Sequence, residues 1–202
     1  MISRAVKSLL GIALLFITLS CAHERVEPST GPAESSTGPQ EKEHGRTDVR
    51  NAISSAQHHV AVEDYQKALE ILNNTYAKNR KDGALRSSYI RIIEEIKNAA
   101  DSAFKNNRFD TAGAVYNILL RDAFQTTDFA DAVSFDREFL KSRIKTCARI
   151  LTQEGLLKYR EARLDEAISI WKKVLAFDHD NVEVKNAIGT AQNQLKNLNG
   201  IR

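Results

Sequence analysis

Residues 154–181 read EGLLKYREARLDEAISIWKKVLAFDHDN, and this stretch decides the fold. Its apolar residues recur at steps of three and four, which places them on one face of an α-helix. They are Leu164, Ala167, Ile168, Trp171, Val174 and Leu175. Gly155 precedes Ala167 by twelve residues, so each of two consecutive helices carries a small residue. Small residues at both points let two antiparallel helices approach closely.

The same spacing occurs twice more upstream. An aromatic residue or leucine is followed by alanine three positions later, and by a large apolar residue four positions after that. The three units are Tyr65-x-x-Ala68-x-x-x-Leu72, Phe109-x-x-Ala112-x-x-x-Tyr116 and Leu164-x-x-Ala167-x-x-x-Trp171, with Ala56, Ala100 and Gly155 as the preceding small residues. Residues 47–202 contain no proline and no alternating strand pattern of comparable length. The sequence therefore predicts an all-α domain over residues 47–202.

This pattern resembles the tetratricopeptide repeat (TPR) from about Val49 to Leu198. The resemblance implies a superhelix of helical hairpins that binds its ligands in a groove lined by the first helices. The repeated alanines are 44 and 55 residues apart instead of the family's 34, which predicts lengthened helices and a short, irregular superhelix. We expect residues 125–151 to supply a helix of about seven turns. Residues 182–198 should form a C-terminal capping helix, entered through a capping box at Asp180 and Glu183.

The first 21 residues have the pattern of an export signal. Two basic residues precede an apolar run from Ser8 to Ser20, which is too short to span a bilayer comfortably. The run ends in Leu19-Ser20-Cys21, which resembles the lipobox of bacterial lipoproteins. The resemblance implies a signal peptide over residues 1–20 and acyl chains, palmitate among them, on Cys21. Ala22 after the cysteine favours the outer membrane, facing the periplasm, with the inner membrane as the alternative.

A polar segment, residues 21–46, connects this anchor to the repeat domain. It contains all three prolines of the chain and a repeated Ser-Thr-Gly-Pro, and its only aliphatic residue larger than alanine is Val26. Such a segment buries too little apolar surface to offset the entropy of ordering it. We therefore predict a disordered tether, and the 25 residues from Ala22 to Arg46 would have an r.m.s. reach of roughly 25–30 Å.

Composition and motifs argue against catalysis and against nucleic-acid binding. Loss of the signal peptide lowers the formal net charge from +3 to +1, which provides no global field to attract nucleic acid. The chain contains no G-x-S-x-G, no H-E-x-x-H and no glycine-rich phosphate loop. His59 and Glu63 share a predicted helix face but make a weak metal pair, and Cys147 is either a small buried residue or a reactive thiol. We expect neither an enzyme nor a cofactor.

A row of cations marks the lengthened helix of the third unit. Its members are spaced four apart and are Arg137, Lys141, Lys145 and Arg149. The row is either a solvated helix face or a surface for an acidic partner. Positions that match the groove of the repeat family add apolar and aromatic groups, which suit an extended or helical peptide with acids and apolar anchors. The predicted partner-binding residues are Tyr159, Arg160, Arg149, Phe104, Lys105, Lys97, Lys145 and Leu156, with core packing as the alternative for Phe104 and Tyr159.

Together these features predict a lipid-anchored periplasmic adaptor that binds another envelope protein. Its partner would belong to pilus, secretion, outer-membrane or cell-wall machinery. The alternative is direct binding of peptidoglycan or an anionic glycolipid through the basic helix.

The first prediction concerns the membrane anchor. Replacing the acceptor thiol by Cys21→Ser should move the protein out of the membrane fraction or leave it as an uncleaved precursor, because two or more acyl chains are needed for stable anchoring. Fractionation and intact mass measure both outcomes. Wild-type protein that is free in the periplasm with an unmodified Cys21 would contradict the prediction.

Overall fold

Seven helices follow one another in the structure, a computed structural model that describes residues 39–123 and 131–200. They are α1 (Pro39–Ala61), α2 (Tyr65–Lys78), α3 (Gly83–Lys105), α4 (Phe109–Ile118), α5 (Arg137–Arg160), α6 (Leu164–Phe177) and α7 (Val182–Gly200), and a π-helical turn, Leu119–Ala123, continues α4. These residues contain no strand, so the predicted all-α fold is confirmed. None of the described helices is both long and apolar enough to cross a membrane. Cys21, the predicted signal peptide and residues 21–38 of the predicted tether lie outside the described residues.

Each helix packs against the next one along the chain. The pairs α1–α2, α3–α4 and α5–α6 are antiparallel hairpins, and α7 packs on α6. The hairpins stack because α1 also contacts α3, α4 contacts α5, and α4 contacts α6. The buried residues in the described part of the chain are apolar, with no polar or charged side chain among them. Each large aliphatic side chain buried in this way contributes about 1.5–3 kcal/mol to the stability of the stack.

The small residues that define the repeat lie in the core, mostly where paired helices meet. Ala56, Ala68, Ala100, Ala112 and Ala167 are 0% exposed. In the third hairpin the two helices leave no room for a side chain at position 155, because a Cβ atom added to Gly155 would collide with the indole of Trp171. That indole nitrogen donates a hydrogen bond of 3.1 Å to the backbone carbonyl of Thr152, which fixes the ring over the glycine.

A second glycine fixes the contact between hairpins. Gly113 of α4 lies under the ring of Phe177 at the end of α6, and an added Cβ atom would be 2.7 Å from that ring. Phe177 is itself only 2% exposed. The second helices of the two hairpins can therefore approach only because position 113 has no side chain.

The three hairpin turns share one backbone conformation. Glu63, Asn107 and Ala162 have φ values of 59°, 58° and 58°, and each lies two residues before the first residue of the second helix. In each turn this residue donates its N–H to the carbonyl three residues back, and the next residue donates to the carbonyl five residues back. This is the Schellman arrangement that ends a helix. The turns thus repeat with the same register as the alanines.

A polar chain of hydrogen bonds attaches the π-helical turn to the first two hairpins. The Tyr89 hydroxyl donates to Asn73 Oδ1 at 2.6 Å, and Asn73 Nδ2 donates to the backbone carbonyl of Asp122 at 3.0 Å. Asp122 is the penultimate residue of this turn, where backbone carbonyls lack a partner within the element, so a side-chain donor at this point stabilises it.

Two helix boundaries and one helix cap differ from the expectations. Helix α1 begins at Pro39, so residues 39–46 are helical rather than part of a disordered tether. Proline fits the first helical position because its φ is already near −65°, and the following Gln40, Glu41, Lys42 and Glu43 are good helix formers despite their polarity. Apolar content alone was therefore a poor guide to this boundary.

The other two differences arise from side-chain caps. Helix α5 begins only at Arg137, because the Asp136 carboxylate accepts a hydrogen bond of 2.7 Å from the N–H of Phe139 and caps the helix at this point. It then runs 24 residues to Arg160, close to the expected seven turns but shifted along the chain. Helix α7 is capped by Asn181, whose Oδ1 accepts from the N–H of Val184 at 3.0 Å, rather than by Asp180.

The tight contact between Gly155 and Trp171 gives a stability prediction with an internal control. Gly155→Ala should destabilise the protein by about 1–3 kcal/mol, because the new methyl group meets the fixed ring of Trp171. Gly189→Ala in α7 meets nothing within 4 Å and should stabilise by about 0.5–1 kcal/mol through helix propensity. Urea unfolding of both variants measures the difference. Equal effects of the two substitutions would show that Gly155 does not set the approach of α5 and α6.

Candidate partner-binding face

The predicted partner-binding residues fall into two groups in the structure. Lys97, Phe104 and Lys105 lie on α3, and the other five lie on α5, four of them in its second half. The two groups have different surroundings. The side chains from α3 are largely engaged within the protein, whereas those from α5 face a cleft or solvent.

A compact set of side chains joins α3 to α4 and α5, and we refer to it as the α3–α5 cluster. Its members are Lys97, Asp101, Phe104, Tyr116, Phe139 and Arg143. The Lys97 ammonium lies 2.9 Å from the Asp101 carboxylate and 5.8 Å from the centre of the Phe139 ring. The Arg143 guanidinium lies 4.9 Å from the centre of the Phe104 ring and 5.2 Å from that of Phe139. Both cations are thus held by aromatic faces and one carboxylate.

Phe104 and Lys97 therefore act inside the stack. The Phe104 ring packs edge-on against Phe109 at 5.3 Å, which corresponds to the core-packing alternative for this residue. The Lys97 side chain is only 17% exposed. Lys105, one residue beyond Phe104, is exposed and forms no ion pair with any other described residue.

The Asp101 carboxylate is the electrostatic centre of the α3–α5 cluster. Partial burial alone would raise its pKa, but hydrogen bonds from the Tyr116 hydroxyl, 2.5 Å away, and from Lys97 lower it below the usual value. The pKa of Tyr116 is raised by burial and by that same hydrogen bond. The carboxylate is therefore ionised and the phenol protonated over the whole physiological pH range.

On α5, the middle of the cation row lines a surface depression that we call the α5 trough. It consists of two clefts, of about 260 and 310 Å³, which share Lys145 and Asp178. One wall belongs to α5 and the other to the connection between α6 and α7 and the first turn of α7. The lining residues are Asn117, Leu120, Lys141, Ile144, Lys145, Ala148, Arg149, Thr152, Gln153, Phe177, Asp178, His179, Asp180, Asn181 and Glu183.

The cations of the row differ in their partners. Lys141 pairs with Glu138 of the same helix at 2.7 Å. Arg149 contacts only the amide oxygen of Gln153, at 3.4 Å, and Lys145 has no carboxylate within 4.0 Å among the described residues. Two exposed cations at the centre of the trough are therefore available to a ligand.

The last turns of α5 add apolar surface. Leu156 is 38% exposed and Leu157 is 56% exposed, and Arg160 beside them is exposed without an ion pair among the described residues. The Tyr159 ring is half-buried and packs against Trp171 with 6.0 Å between ring centres. Tyr159 thus belongs partly to the core, which limits the area that it can offer to a partner.

Sequence reasoning missed three features of this face. The first is the acidic wall of the trough, since the sequence pattern predicts only a capping role for Glu183 and assigns no role to Asp178. Arg143 lies off the four-residue spacing of the row, and its guanidinium lies over the rings of Phe104 and Phe139. Leu157 lies off the apolar spacing of α5, and only that irregularity could have indicated its exposure.

The weaker chemical candidates occupy ordinary structural positions. Glu63 follows the end of α1 with a positive φ, so it does not share a helix face with His59, which instead contacts Asp64 at 3.2 Å. Among residues 39–123 and 131–200 no group of three His, Cys, Asp or Glu side chains is placed to hold a metal ion. Cys147 is buried, and burial raises the pKa of its thiol to about 11, so it is protonated at neutral pH.

Comparison of the chain with protein-family models, with curated proteins and with solved structures returns no match.

The α3–α5 cluster gives a prediction of pH dependence. Because the pKa of Asp101 is lower in the folded protein than in the unfolded chain, its contribution to stability is complete above about pH 5 and is lost as the pH falls through its folded value. Asp101→Asn should cost on the order of 1 kcal/mol at pH 7 and should flatten the decline of stability below pH 5. Urea midpoints between pH 3 and pH 7 measure this difference.

Asp110 serves as the control for that experiment. Partial burial alone would raise its pKa, but hydrogen bonds from Lys173 and from the N–H of Thr111 lower it. Asp110 therefore contributes the same loss of stability at low pH in the wild type and in the Asp101→Asn variant. A wild-type and an Asp101→Asn curve that remain parallel from pH 7 to pH 3 would contradict the assigned role of Asp101.

Proposed function

We propose that this protein is a lipid-anchored adaptor of the bacterial envelope, which faces the periplasm and binds another envelope protein without catalysing a reaction. The export signal and Cys21 support the location. A stack of helical hairpins, similar in pattern to the tetratricopeptide repeat, supports the role, since such stacks present extended surfaces to a partner.

The observation that carries the proposal is the α5 trough with its two available cations. Lys145 and Arg149 line an open depression instead of pairing with neighbouring carboxylates. Leu156 and Leu157 extend the same helix with exposed apolar area. A patch that combines arginine, lysine and exposed leucine is the kind of surface at which binding energy concentrates. We assign partner binding to this face and not to α3.

Direct binding of peptidoglycan or an anionic glycolipid is the second candidate. The unpaired Lys145 and Arg149 favour it, because both could meet anionic groups. The opposite wall of the trough counts against it, since Asp178 and Glu183 would repel a uniformly anionic polymer. A protein partner can present both signs of charge and so suits this surface better.

Site-specific photo-crosslinking in the native cells tests the proposal. A photoreactive residue in place of Arg149 should yield a crosslinked envelope protein, whereas the same residue in place of the exposed Lys172 on α6 should not. The double variant Lys145→Glu with Arg149→Glu should weaken binding of the captured partner at least about tenfold, with unchanged thermal unfolding.

Two outcomes decide between the candidates. Retention of the purified protein on isolated sacculi without any other protein, with loss of retention in the double variant, would favour the cell-wall binder. Identical crosslinks from positions 149 and 172, or none from 149 in cells that produce the protein normally, would contradict partner binding at the α5 trough.

A further inference from the structure

The two walls of the α5 trough carry opposite charges that do not meet. Lys145 and Arg149 line one wall, and Asp178 and Glu183 line the other. No ion pair of 4.0 Å or less crosses the trough between described residues. An open space of about 310 Å³ lies between the two walls. Charges that remain unpaired across an open space can be met by complementary charges of a ligand.

Some of the charges that line the trough already have a partner on their own side of it. Asp180 is paired on its own side, with Lys185 at 3.7 Å and His179 at 3.6 Å. Asp178 accepts a hydrogen bond of 2.8 Å from the side chain of Asn181. Glu183 forms no ion pair with a described residue, as is true of Lys145 and Arg149. Each wall thus keeps at least one charge for a ligand.

The floor between the walls is apolar. Ile144 and Ala148 of α5 are 8% and 4% exposed, and Phe177 at the end of α6 is 2% exposed. From Lys141 to Gln153 the trough follows α5 for twelve residues, or about 18 Å. An extended peptide rises about 3.3 Å per residue, so five or six residues fill this length.

These dimensions and charges specify an occupant. Successive side chains of an extended segment point in opposite directions, so one set meets the basic wall and the other set meets the acidic wall. We propose that the α5 trough binds an extended segment of a partner protein in which acidic and basic side chains alternate. The acidic side chains lie against Lys145 and Arg149, the basic ones against Asp178 and Glu183, and their methylene stems cover the apolar floor.

This arrangement selects partners by sequence order and not by net charge. A polyanion satisfies α5 but meets like charge at Glu183, and a polycation has the reverse problem. A segment with charges in blocks places about half of them against the wrong wall. The inference rests on the proposed function, because it names the partner segment that the same trough would bind.

Three fluorescently labelled hexapeptides test it against the full chain. One alternates Glu and Lys, one has the same composition in two blocks of three, and one contains only Glu. Fluorescence anisotropy at low salt should give a dissociation constant for the alternating peptide at least tenfold below that of the block peptide. Raising the salt concentration to 0.5 M should remove most of this difference. Equal affinity for the alternating and block peptides would overturn the proposal.

A charge reversal on the acidic wall provides the second arm. Glu183→Lys should abolish the preference for the alternating peptide and increase affinity for the all-Glu peptide. Glu154→Lys makes the same change of net charge at an exposed position of α5 outside the trough, and it should leave the preference unchanged. Circular dichroism confirms that both variants are folded.

The outcomes separate this inference from the proposed function. If Glu183→Lys and Glu154→Lys have the same effect on all three peptides, the acidic wall takes no part and the inference fails. The crosslinks from position 149 then still test the adaptor role independently.

Discussion

The stack depends on how closely paired helices can approach, and that distance is set by residues with little or no side chain. Gly155 allows the Trp171 ring to lie on the backbone of α5, and the indole hydrogen bond to Thr152 locks it there. Gly113 accepts Phe177 in the same way between hairpins. Each contact joins one small and one large residue, so neither can change in size without loss of packing.

The backbone conformation of the hairpin turns also fixes how the two helices of each hairpin are aligned. Glu63, Asn107 and Ala162 adopt a left-handed conformation that is costly for residues with a Cβ atom, and the Schellman hydrogen bonds hold them there. Local strain at three points is thus offset by the burial that the hairpins achieve. The turn fixes where the second helix starts, and the small residues fix how near it lies.

The proposed partner-binding face lies where the repeat becomes irregular. Helix α5 is longer than its partner α6, so its first turns extend past the hairpin and contact α3 through Phe139 and Arg143. Its middle then faces the connection to α7 across an open space. The α3–α5 cluster holds one cation of α5, Arg143, against aromatic rings. Lys145 and Arg149 of the same helix lie outside the cluster and line the trough. The greater length of α5 therefore accounts for both the internal contacts with α3 and the external trough.

The sequence by itself determined the all-α fold, the three hairpins and the small residues at their contacts, because apolar spacing and residue size are local properties that one chain segment carries alone. It also indicated α5 as the charged element, with Arg149 and Lys145 among its cations. It could not determine that Lys97 and Phe104 are used within the stack, that Asp178 and Glu183 face Arg149, or that Tyr159 is half covered by Trp171. These facts depend on how α5 is placed relative to α3 and α7. The connections between hairpins differ in length, and no sequence spacing in them predicts that placement. Only the packing of the large side chains, which act over long sequence separations, decided which charges became internal and which remained available.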